Sequence, residues 1–592
     1  MDREFYEFEG KKIALYKIKN QAGRYKTPNF EKIQEIIKIS GLKPKTWIEA
    51  LDWLFLEDRR IPLRDKLSVD RIGISEEINI FCIEMELSKI LYQNLDYLAK
   101  KTGWYFYITG VKLGISKLCK VVDEIPRRFK SEDIETWRID ANETIELINI
   151  ATLPYSTCFL LKVGKYNILL DGGLHREKSN NLQDLMKYVS KLDVIFLSHA
   201  HYDHYSGLED LIENFPNAII LCSKTTLDFY SYRYAKRKWN QLNELDINLF
   251  KSTKNIIRNS LNISSGDEIC FNNGRFRFFP SGHMPGALMF NCFIDNYNFV
   301  YTGDFSYFDN YPIAGARNAT DLIQKPINFL LLDSSMCEKS YNSPNTIFSS
   351  LKHGLKLKAT YGKQSLIAAD PASMGLILYI TIFNYFRNIQ LEEDFDKRPT
   401  IVMGREALEH AKVVQQRIED LHPKIRSKIE RHLNPFTSAL THFCKNFSEI
   451  ASFLNKKNCV FIFGNGDISS GMSRRIIIPI GNKEHNLICL TGALRSEEAM
   501  ELAAGNNEII IDNYKFNNKA DVFNFRFPKN TLNLHADSIQ INKLIEDLKP
   551  RKVGLFHNTS RKMIATRANL KKKDYIEETY SFDEKIKILR LK

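Results

Sequence analysis

From about position 146 onward, hydrophobic residues are grouped in short runs, and most of these runs end at Gly, Asp, Ser or His. The runs include TIELINIA, CFLLKVG, YNILLDGG, DVIFLSH, AIILCS, FRFFPSGH, FNCFIDN, NFVYTGD and INFLLLDSS. Such segments are typical of strands in a packed sheet. The polar residues therefore come where the strands stop, which is the usual place for a site in a layered α/β fold.

A different pattern covers residues 345 to about 505. There the strand-like runs QSLIAADP, PTIVMG, CVFIFGN and NLICLTG alternate with MGLILYITIFNYFRN and REALEHAKVVQQRIEDLHPKIRSKI, which have helical spacing. This alternation predicts a parallel α/β domain. The later segment IQINKLIEDLKPRKVGLFHN predicts a helix, a turn and a strand that ends at a histidine.

The first 145 residues are mixed in character and rich in lysine. The segments NFEKIQEIIKIS and EINIFCIEMELSKILYQNLDYLAKK have the spacing of amphipathic helices, and GWYFYITG predicts a short strand. No motif in this region indicates chemistry. We therefore expect an α+β accessory region whose role the sequence does not reveal.

Charge and cysteine content narrow the class of protein. The net charge is +13, from 84 Lys and Arg against 71 Asp and Glu, and a positive surplus favours a polyanionic partner. The ten cysteines are far apart and form no C-x-x-C pair, which favours a reducing compartment. The start lacks the apolar core of a signal peptide, and no long apolar run occurs. We expect a cytoplasmic protein without a membrane partner.

The segment LSHAHYDHYSGL, residues 197–208, concentrates three of the 13 histidines of the chain around one aspartate. Imidazole and carboxylate groups are ligands of zinc. His199 and His201 can face one ion, and Asp203 and His204 can face a second ion nearby. The alternative is a polar loop with surface histidines. Four ligand-type residues within six positions, directly after a buried strand, favour a metal site.

Other candidate ligands also follow predicted strands. They are Asp171 in LLDGG, His283 in PSGHMPGALMF, Asp304 in VYTGDFS, Asp333 in LLLDSS, His535 in LNLHADS and His557 in VGLFHN. Singly, each can be read as an ordinary polar residue at a strand end. Together they supply the further ligands that a site for two ions requires.

These motifs carry a resemblance to a known family. HAHYDH is similar to the H-x-H-x-D-H motif of the metallo-β-lactamase fold, and GHMPGA and TGDF resemble the next two ligand motifs of that fold. Some 200 residues then separate Asp333 from LNLHADS and GLFHN, and this long insertion resembles the β-CASP subfamily of nucleases. GNGDISSGMSRRI and GKQSLIAADPASMGLILYITI resemble segments of the inserted domain in that subfamily.

The resemblance implies an α/β fold, namely an αββα sandwich with an inserted parallel α/β domain and an additional α+β N-terminal region. We place the accessory region at 1–145 and the first part of the metallo-β-lactamase domain at 146–340. The inserted β-CASP domain is placed at 341–530, and the C-terminal part of the metallo-β-lactamase domain at 531–592.

The resemblance also implies a role for each candidate residue. His199, His201 and His283 would hold one Zn²⁺, Asp203, His204 and His557 a second, and Asp304 would bridge the two ions. Asp203 and His535 are the predicted catalytic residues. A hydroxide between the ions would attack phosphorus, and His535 would act as general acid to the leaving oxygen. Asp171 and Asp333 would orient the histidines. Ser470, Gly471 and Ser473 would bind a phosphate, with a tight turn as an equally weighted alternative.

The function that follows is a zinc-dependent ribonuclease, acting as an endonuclease, a 5′-exonuclease or both. A histidine at the position of His557 is associated with the RNA-acting members, and RNA is therefore the expected partner. One alternative is a DNA nuclease of the Artemis-like branch, since DSSMCEKSY and LNLHAD depart from the common family motifs. A small-molecule metallo-hydrolase and an inactive scaffold are less favoured. A protein partner or self-association is possible.

Overall fold

A computed structural model describes the backbone of five strands between residues 3 and 108, and most of the chain from residue 122 to residue 592. The longest gaps in the second part are 390–398, 432–439 and 525–533. The chain divides into two compact units, of which the first comprises residues 1–118 and 232–251 and the second residues 119–231 and 252–592.

The first unit contains a five-stranded sheet in the order β1-β2-β3-β4-β5. Its strands are β1 Arg3–Phe8, β2 Lys11–Lys17, β3 Val69–Ser75, β4 Ile80–Met85 and β5 Tyr105–Ile108. The strand predicted from GWYFYITG is confirmed as β5. The helical interpretation of EINIFCIEMELSKILYQNLDYLAKK is wrong for β4. All six residues of this strand pair with β3, and four of them also pair with β5. A short apolar run cannot be assigned by periodicity alone. NFEKIQEIIKIS lies outside the described residues.

Two seven-stranded sheets form the centre of the second unit. The first sheet has the order β11-β10-β9-β8-β7-β6-β27 and the second the order β12-β13-β14-β15-β16-β25-β26. The first comprises β6 Ile145–Asn149, β7 Phe159–Val163, β8 Tyr166–Leu170, β9 Val194–Phe196, β10 Ile219–Cys222, β11 Ser260–Asn262 and β27 Ile588–Arg590. The second comprises β12 Glu268–Phe271, β13 Gly274–Pro280, β14 Leu288–Ile294, β15 Tyr297–Tyr301, β16 Phe329–Asp333, β25 Lys552–Phe556 and β26 Glu578–Ser581.

The two sheets share one hydrophobic core. Phe196 of β9 packs on Phe278 and Phe290 of the second sheet, with ring centroids 6.0 and 5.1 Å apart. On its other face the second sheet packs against helices, among them Ser538–Leu548, whose Ile541 and Leu544 are buried with the strands. Helix, sheet, sheet and helix follow one another, so the predicted αββα architecture is confirmed.

Helices of 4 to 18 residues connect the sandwich strands. They are Glu132–Glu135, Asn181–Tyr188, Tyr202–Tyr205, Leu208–Asn214, Lys224–Gln241, Ile247–Asn259, Ser538–Leu548 and Ser560–Leu570, with a 3₁₀ turn at Ala316–Asn318.

The chain between β16 and β25 forms a six-stranded sheet, the third sheet of the second unit. Its order is β19-β18-β20-β17-β21-β24, and every neighbouring pair is parallel, as the strand–helix alternation predicts. The strands are β17 Ser365–Ala368, β18 Thr400–Gly404, β19 Thr441–Cys444, β20 Cys459–Phe463, β21 Leu487–Leu490 and β24 Asp521–Asn524, beside a hairpin of β22 Glu508–Ile511 and β23 Tyr514–Asn517. Its helices are Pro344–Thr360, Met374–Ile389, Arg405–Gln416, Pro423–Glu430, Phe447–Leu454, Gly471–Gly481 and Glu497–Ala503, with a 3₁₀ turn at Ile418–Asp420.

The insertion leaves and re-enters the sandwich at neighbouring strands. β16 and β25 pair in parallel, and Asp333 lies opposite Phe556 in this register. The residues on either side of the insertion are therefore adjacent in space. Among the helices that the structure describes, none is both long and apolar enough to cross a membrane.

The shared core predicts a large effect of Phe290→Ala. Phe290 is fully buried between Phe196 and Phe276, so its truncation leaves a cavity and should lower stability by about 3–5 kcal/mol. Thermal unfolding followed by circular dichroism checks this. Met186→Ala is the control, because that side chain is 50% exposed and its loss should change stability by less than about 0.5 kcal/mol. Equal melting of the two variants would contradict the core assignment.

Candidate metal centre

The candidate ligands predicted from the sequence meet at one end of the two central sheets. Asp171 follows β8, the 199–204 segment follows β9, and Asp304 follows β15. Asp333 ends β16, and His557 follows β25. Ligand atoms of these residues form three groups in which the atoms lie within 4.8 Å of one another. The groups are His199, His201, His283 and Asp304; Asp304, Asp333, His535 and His557; and Asp203, His204 and His557.

Three imidazole rings form the first group. His201 Nδ1 lies 3.0 Å from His199 Nε2 and 2.9 Å from His283 Nε2. Tetrahedral zinc, with Zn–N bonds of about 2.0–2.1 Å, places its nitrogen ligands about 3.3 Å apart. Both distances from His201 Nδ1 are close to that value. The backbone carbonyl of Leu534 lies 3.0 Å from His283 Nδ1, which fixes the other side of this ring. The set fits a zinc ion.

The carboxylate of Asp304 is surrounded by histidine nitrogens. His557 Nδ1 lies 3.0 Å from Oδ1. The other four rings lie nearer to Oδ2, at 3.3 Å for His204 Nε2, 3.6 Å for His199 and His283 Nε2, and 3.7 Å for His535 Nδ1. Asp304 is 1% exposed, and among the described residues neither of its oxygens has a partner in hydrogen-bond geometry. A buried carboxylate without such partners is costly. A cation between the carboxylate and the rings would remove that cost.

A second set of ligand atoms comes from Asp203, His204 and His557. His557 Nε2 is 3.1 Å from Asp203 Oδ2, and His204 Nε2 is 3.8 Å from the same oxygen. His204 is completely buried, and its Nε2 atom has no hydrogen-bond partner among the described residues. Its other nitrogen is held by a carboxylate, so Nε2 is the atom presented to the site. These three residues fit a second ion.

Asp171 orients His204 from behind. Its Oδ2 atom lies 2.7 Å from His204 Nδ1 and accepts hydrogen bonds from the hydroxyls of Ser198 at 2.7 Å and Tyr301 at 2.6 Å. Its Oδ1 atom accepts the backbone N–H of Ser198 at 2.7 Å. Such a partner fixes the tautomer and the orientation of a ligating ring. The sequence did not indicate Ser198 or Tyr301, since a tyrosine within a strand is typical of the core.

Asp333 holds His535. The two residues are 202 positions apart, yet Asp333 Oδ2 lies 3.0 Å from His535 Nδ1. The other carboxylate oxygen accepts the backbone N–H of Ser335 at 2.9 Å, and the Ser335 hydroxyl lies 3.0 Å from His557 Nδ1. Ser335 was also not predicted. The His535 side chain is 21% exposed, whereas that of His557 is 5% exposed. His535 is therefore accessible to a ligand above the site.

Burial and charge set the protonation of the rings. Burial lowers the pKa of His283 to about 4 and lowers that of His199 well below its usual value, so both rings are neutral near pH 7. Burial also acts to lower the pKa of His204, but the carboxylates of Asp304 and Asp171 outweigh it and raise this pKa well above its usual value. Neutral imidazole is the form that binds metal. His199 and His283 are thus in the form that binds metal, while His204 would have to lose a proton before Nε2 could bind an ion.

Unusual backbone geometry occurs at the site. Asp171 and His557 have φ angles of 59° and 69°, a left-handed region that non-glycine residues rarely adopt. Such strain is found where the surroundings fix a functional residue. Gly173 is required for another reason, because a Cβ atom there would lie 1.8 Å from the backbone oxygen of Asp203.

The predicted phosphate-binding residues lie after β20 in the third sheet. Ser470 precedes the helix Gly471–Gly481 and is exposed, and Gly471 has a φ angle of 79°. Ser473 is fully buried. Its hydroxyl donates to the Asn465 carbonyl at 2.8 Å, and its N–H donates to the Gly464 carbonyl at 2.9 Å. The hydroxyl of Ser473 therefore holds the turn together, and the exposed groups of this segment belong to Ser470 and Gly471.

Comparison with known proteins adds to this geometry. Residues 151–336 match the family model described as Metallo-beta-lactamase superfamily. The chain is 22% identical over 454 residues to the protein named Endoribonuclease YSH1 of Mycosarcoma maydis, which covers 73% of this chain and 49% of that protein. It is 24% identical over 413 residues to an RNase J-like protein of Methanocaldococcus jannaschii, covering 68% of this chain and 89% of that protein.

A third relative is the cleavage and polyadenylation specificity factor subunit 3 of Dictyostelium discoideum, at 23% identity over 70% of this chain and 53% of that protein. The chain thus spans about half the length of the YSH1 and subunit 3 relatives. Its αββα sandwich, its ligand cluster and the parallel sheet inserted between β16 and β25 agree with the family indicated by the sequence motifs. Residues 151–336 of the chain therefore form a metallo-β-lactamase superfamily domain, and the relatives matched at 22–24% identity support the resemblance of the chain to the β-CASP nucleases.

Proposed function

We propose that this chain is a ribonuclease that hydrolyses phosphodiester bonds in RNA with two zinc ions. The observation that carries the proposal is the buried Asp304 carboxylate, which has histidine nitrogens on every side and no partner in hydrogen-bond geometry. A site of this kind suits a cation pair. The domain limits at residues 145, 340 and 530 and the cytoplasmic location belong to the same proposal.

The ligands divide into two sets. His199, His201 and His283 would hold one ion, and Asp203, His204 and His557 the other, with Asp304 between them. Imidazole and carboxylate ligands suit zinc, and the absence of cysteine from these groups is usual for catalytic zinc sites. Bound there, two zinc ions would supply a nucleophile from water at neutral pH and neutralise charge on the phosphate.

His535 would act as general acid. Its ring is held by Asp333, and its side chain is 21% exposed, against 5% for His557. Burial acts to lower the pKa of His535, but Asp304 and Asp333 outweigh it and raise this pKa above its usual value. This shift favours the protonated form, which is the form that would donate a proton to the leaving oxygen.

RNA is the favoured substrate for two reasons. Two relatives carry names that describe an endoribonuclease and an RNase J-like protein. The chain also has a net charge of +13, which favours binding to a phosphate backbone. Ser470 and Gly471 would contact a substrate phosphate through the hydroxyl and backbone N–H groups. DNA cleavage is the outcome that would instead assign the chain to the Artemis-like branch.

Metal content tests the ligand assignment. The purified protein should hold close to two zinc ions per chain, and His557→Ala should lower this content because it removes a ligand of the second set. Elemental analysis with parallel circular dichroism measures both content and folding. His353→Ala, in an exposed position of the helix Pro344–Thr360, is the matched control and should keep full occupancy. Full zinc content in folded His557→Ala protein would remove His557 from the ligand set.

The role of His535 is tested with two substrates. His535→Ala should slow RNA cleavage roughly 10²- to 10⁴-fold, because the leaving oxygen loses its proton donor. An activated aryl phosphodiester needs no such proton and should be cleaved at nearly the wild-type rate. Zinc content should not change. An equal loss on both substrates would show that His535 binds or positions the phosphate instead.

Substrate choice is tested with matched oligonucleotides. RNA labelled at its 5′ or 3′ end should be cut much faster than DNA of the same sequence, and the labels distinguish endonuclease from 5′-exonuclease products. Asp203→Ala should abolish cleavage without unfolding, since it removes a ligand and its charge. Equal rates on RNA and DNA would contradict the RNA assignment, and undiminished activity of Asp203→Ala would contradict the metal site.

A further inference from the structure

A cleft rich in lysine lies on the third sheet, outside the metal centre. Its volume is about 420 Å³. We call it the lysine cleft. It is lined by Gly362, Lys363, Gln364, Asn455, Lys456, Lys457, Lys483, Glu484, Asn486 and Lys519. None of these residues has a role in the proposed chemistry.

The topology places the lysine cleft at the amino ends of the parallel strands. Its segments directly precede β17, β20, β21 and β24. The turn with Ser470 follows β20 instead. The cleft and that turn are therefore at opposite ends of β20, a five-residue strand about 17 Å long. A ligand in the cleft is not in the position of the phosphate proposed at Ser470.

The positive charge of the cleft is larger than the negative charge of the helix ends beside it. Five lysines and Glu484 give a formal charge of +4, from five positive groups less one negative. Three helices, Pro344–Thr360, Phe447–Leu454 and Gly471–Gly481, end beside the cleft, and each carboxyl end contributes about −0.5 charge, or roughly −1.5 together. Lys483 neutralises the end of one of these helices, since its Nζ donates to the Leu454 carbonyl at 2.8 Å. A positive surplus is left over.

Three of the other lysines are available to a ligand, whereas the ammonium group of Lys456 lies over the Phe453 ring. No carboxylate of the described residues lies at ion-pair distance from Lys363, Lys457 or Lys519, and Lys457 and Lys519 are exposed. The floor, in contrast, is rigid. Gln364 is 3% exposed, and its amide donates to the carbonyls of Phe453, Leu454 and Lys456 at 3.2, 3.0 and 2.6 Å. The cleft thus combines a fixed floor with exposed cationic groups at its edge.

An exposed aromatic ring adjoins the cleft. Tyr361 directly precedes Gly362 and is 69% exposed, and Leu357, one helical turn earlier, is 45% exposed. The backbone N–H of Tyr361 donates to the Leu357 carbonyl at 3.3 Å, which keeps the two side chains on neighbouring positions. A ring beside a positive groove is the combination with which proteins bind single-stranded nucleic acid, through stacked bases and neutralised phosphates.

We propose that the lysine cleft and Tyr361 form a second RNA-binding site, which holds single-stranded RNA at a distance from the scissile bond. The lysines would contact phosphates, and Tyr361 would stack on an unpaired base. The proposal rests on the proposed function in taking RNA as the ligand. The exposed ring favours RNA over an acidic polypeptide, which has no bases to stack.

Paired lysine variants test the phosphate contacts. Lys457→Ala with Lys519→Ala should weaken binding of a labelled single-stranded RNA of about 20 nucleotides by about ten-fold at low salt, and should reduce the slope of log K against log salt by about 1.4. Binding is followed by stopped-flow anisotropy, before cleavage proceeds. The control pair Lys571→Ala with Lys572→Ala removes the same charge from exposed positions elsewhere and should change neither quantity. Equal effects of the two pairs would overturn the site.

Variants of Tyr361 test the stacking contact. Tyr361→Ala should weaken RNA binding roughly 5- to 150-fold, whereas Tyr361→Phe, which keeps the ring, should bind almost as tightly as the wild type. Equal binding by both variants would overturn the stacking role. If polyglutamate competes for the cleft and Tyr361→Ala binds RNA normally, the cleft is a site for acidic polypeptides and the proposal is wrong.

The two proposals fail in different ways. The lysine and Tyr361 variants should hydrolyse an activated aryl phosphodiester at the wild-type rate, because none of the substituted residues belongs to the metal centre. If RNA is cleaved but the cleft variants bind it normally, only the second site is refuted. If the wild type binds RNA through the cleft lysines but does not cleave it, only the proposed nuclease activity is refuted.

Discussion

The carboxylate of Asp304 is the group on which the site depends. It follows β15 at the end of the sandwich and is almost completely buried, and five histidines from four separate parts of the chain lie around it. Burial acts to raise the pKa of Asp304, but His557 and His204 outweigh it and lower the pKa well below its usual value, so the group stays charged. A buried charge requires a compensating charge, and the ligand atoms around Asp304 lie close enough together to hold metal ions.

The parallel pairing of β16 and β25 connects this site to the rest of the chain. It brings Asp333 and His557 together across an insertion that forms a sheet of its own. Asp333 then holds His535, which is reached only after the insertion. The insertion is therefore compatible with an intact site, and it adds surfaces, such as the lysine cleft, that a sandwich alone does not have.

Much of this arrangement could be predicted from the sequence because strand ends are marked by both pattern and chemistry. The runs before Asp171, His199, Asp304 and His557 are apolar enough to be strands, and each stops at a ligand-type residue. Supporting groups were not predictable in this way. Tyr301 lies within β15 and looks like a core residue, yet its hydroxyl bonds to Asp171. Contacts of this kind depend on how two sheets are aligned, which hydrophobic spacing does not encode.

The N-terminal region shows a second limit. The segment containing β4 has helical spacing, but pairing with its neighbours makes it a strand. Pairing between distant segments decides such cases, and a single sequence does not reveal the partners. The sandwich was easier to predict because its strands are short, apolar and separated by turn residues, and because its motifs follow one another in the order of a known family.

The central claim is that two metal ions occupy the space around Asp304. X-ray diffraction from crystals of the protein purified without chelators, collected on either side of the zinc absorption edge, tests it most directly. Two anomalous peaks are predicted, one beside His199, His201 and His283 and one beside Asp203, His204 and His557, both next to Asp304. The account is contradicted if no peak appears at this carboxylate, or if zinc binds only elsewhere in the molecule.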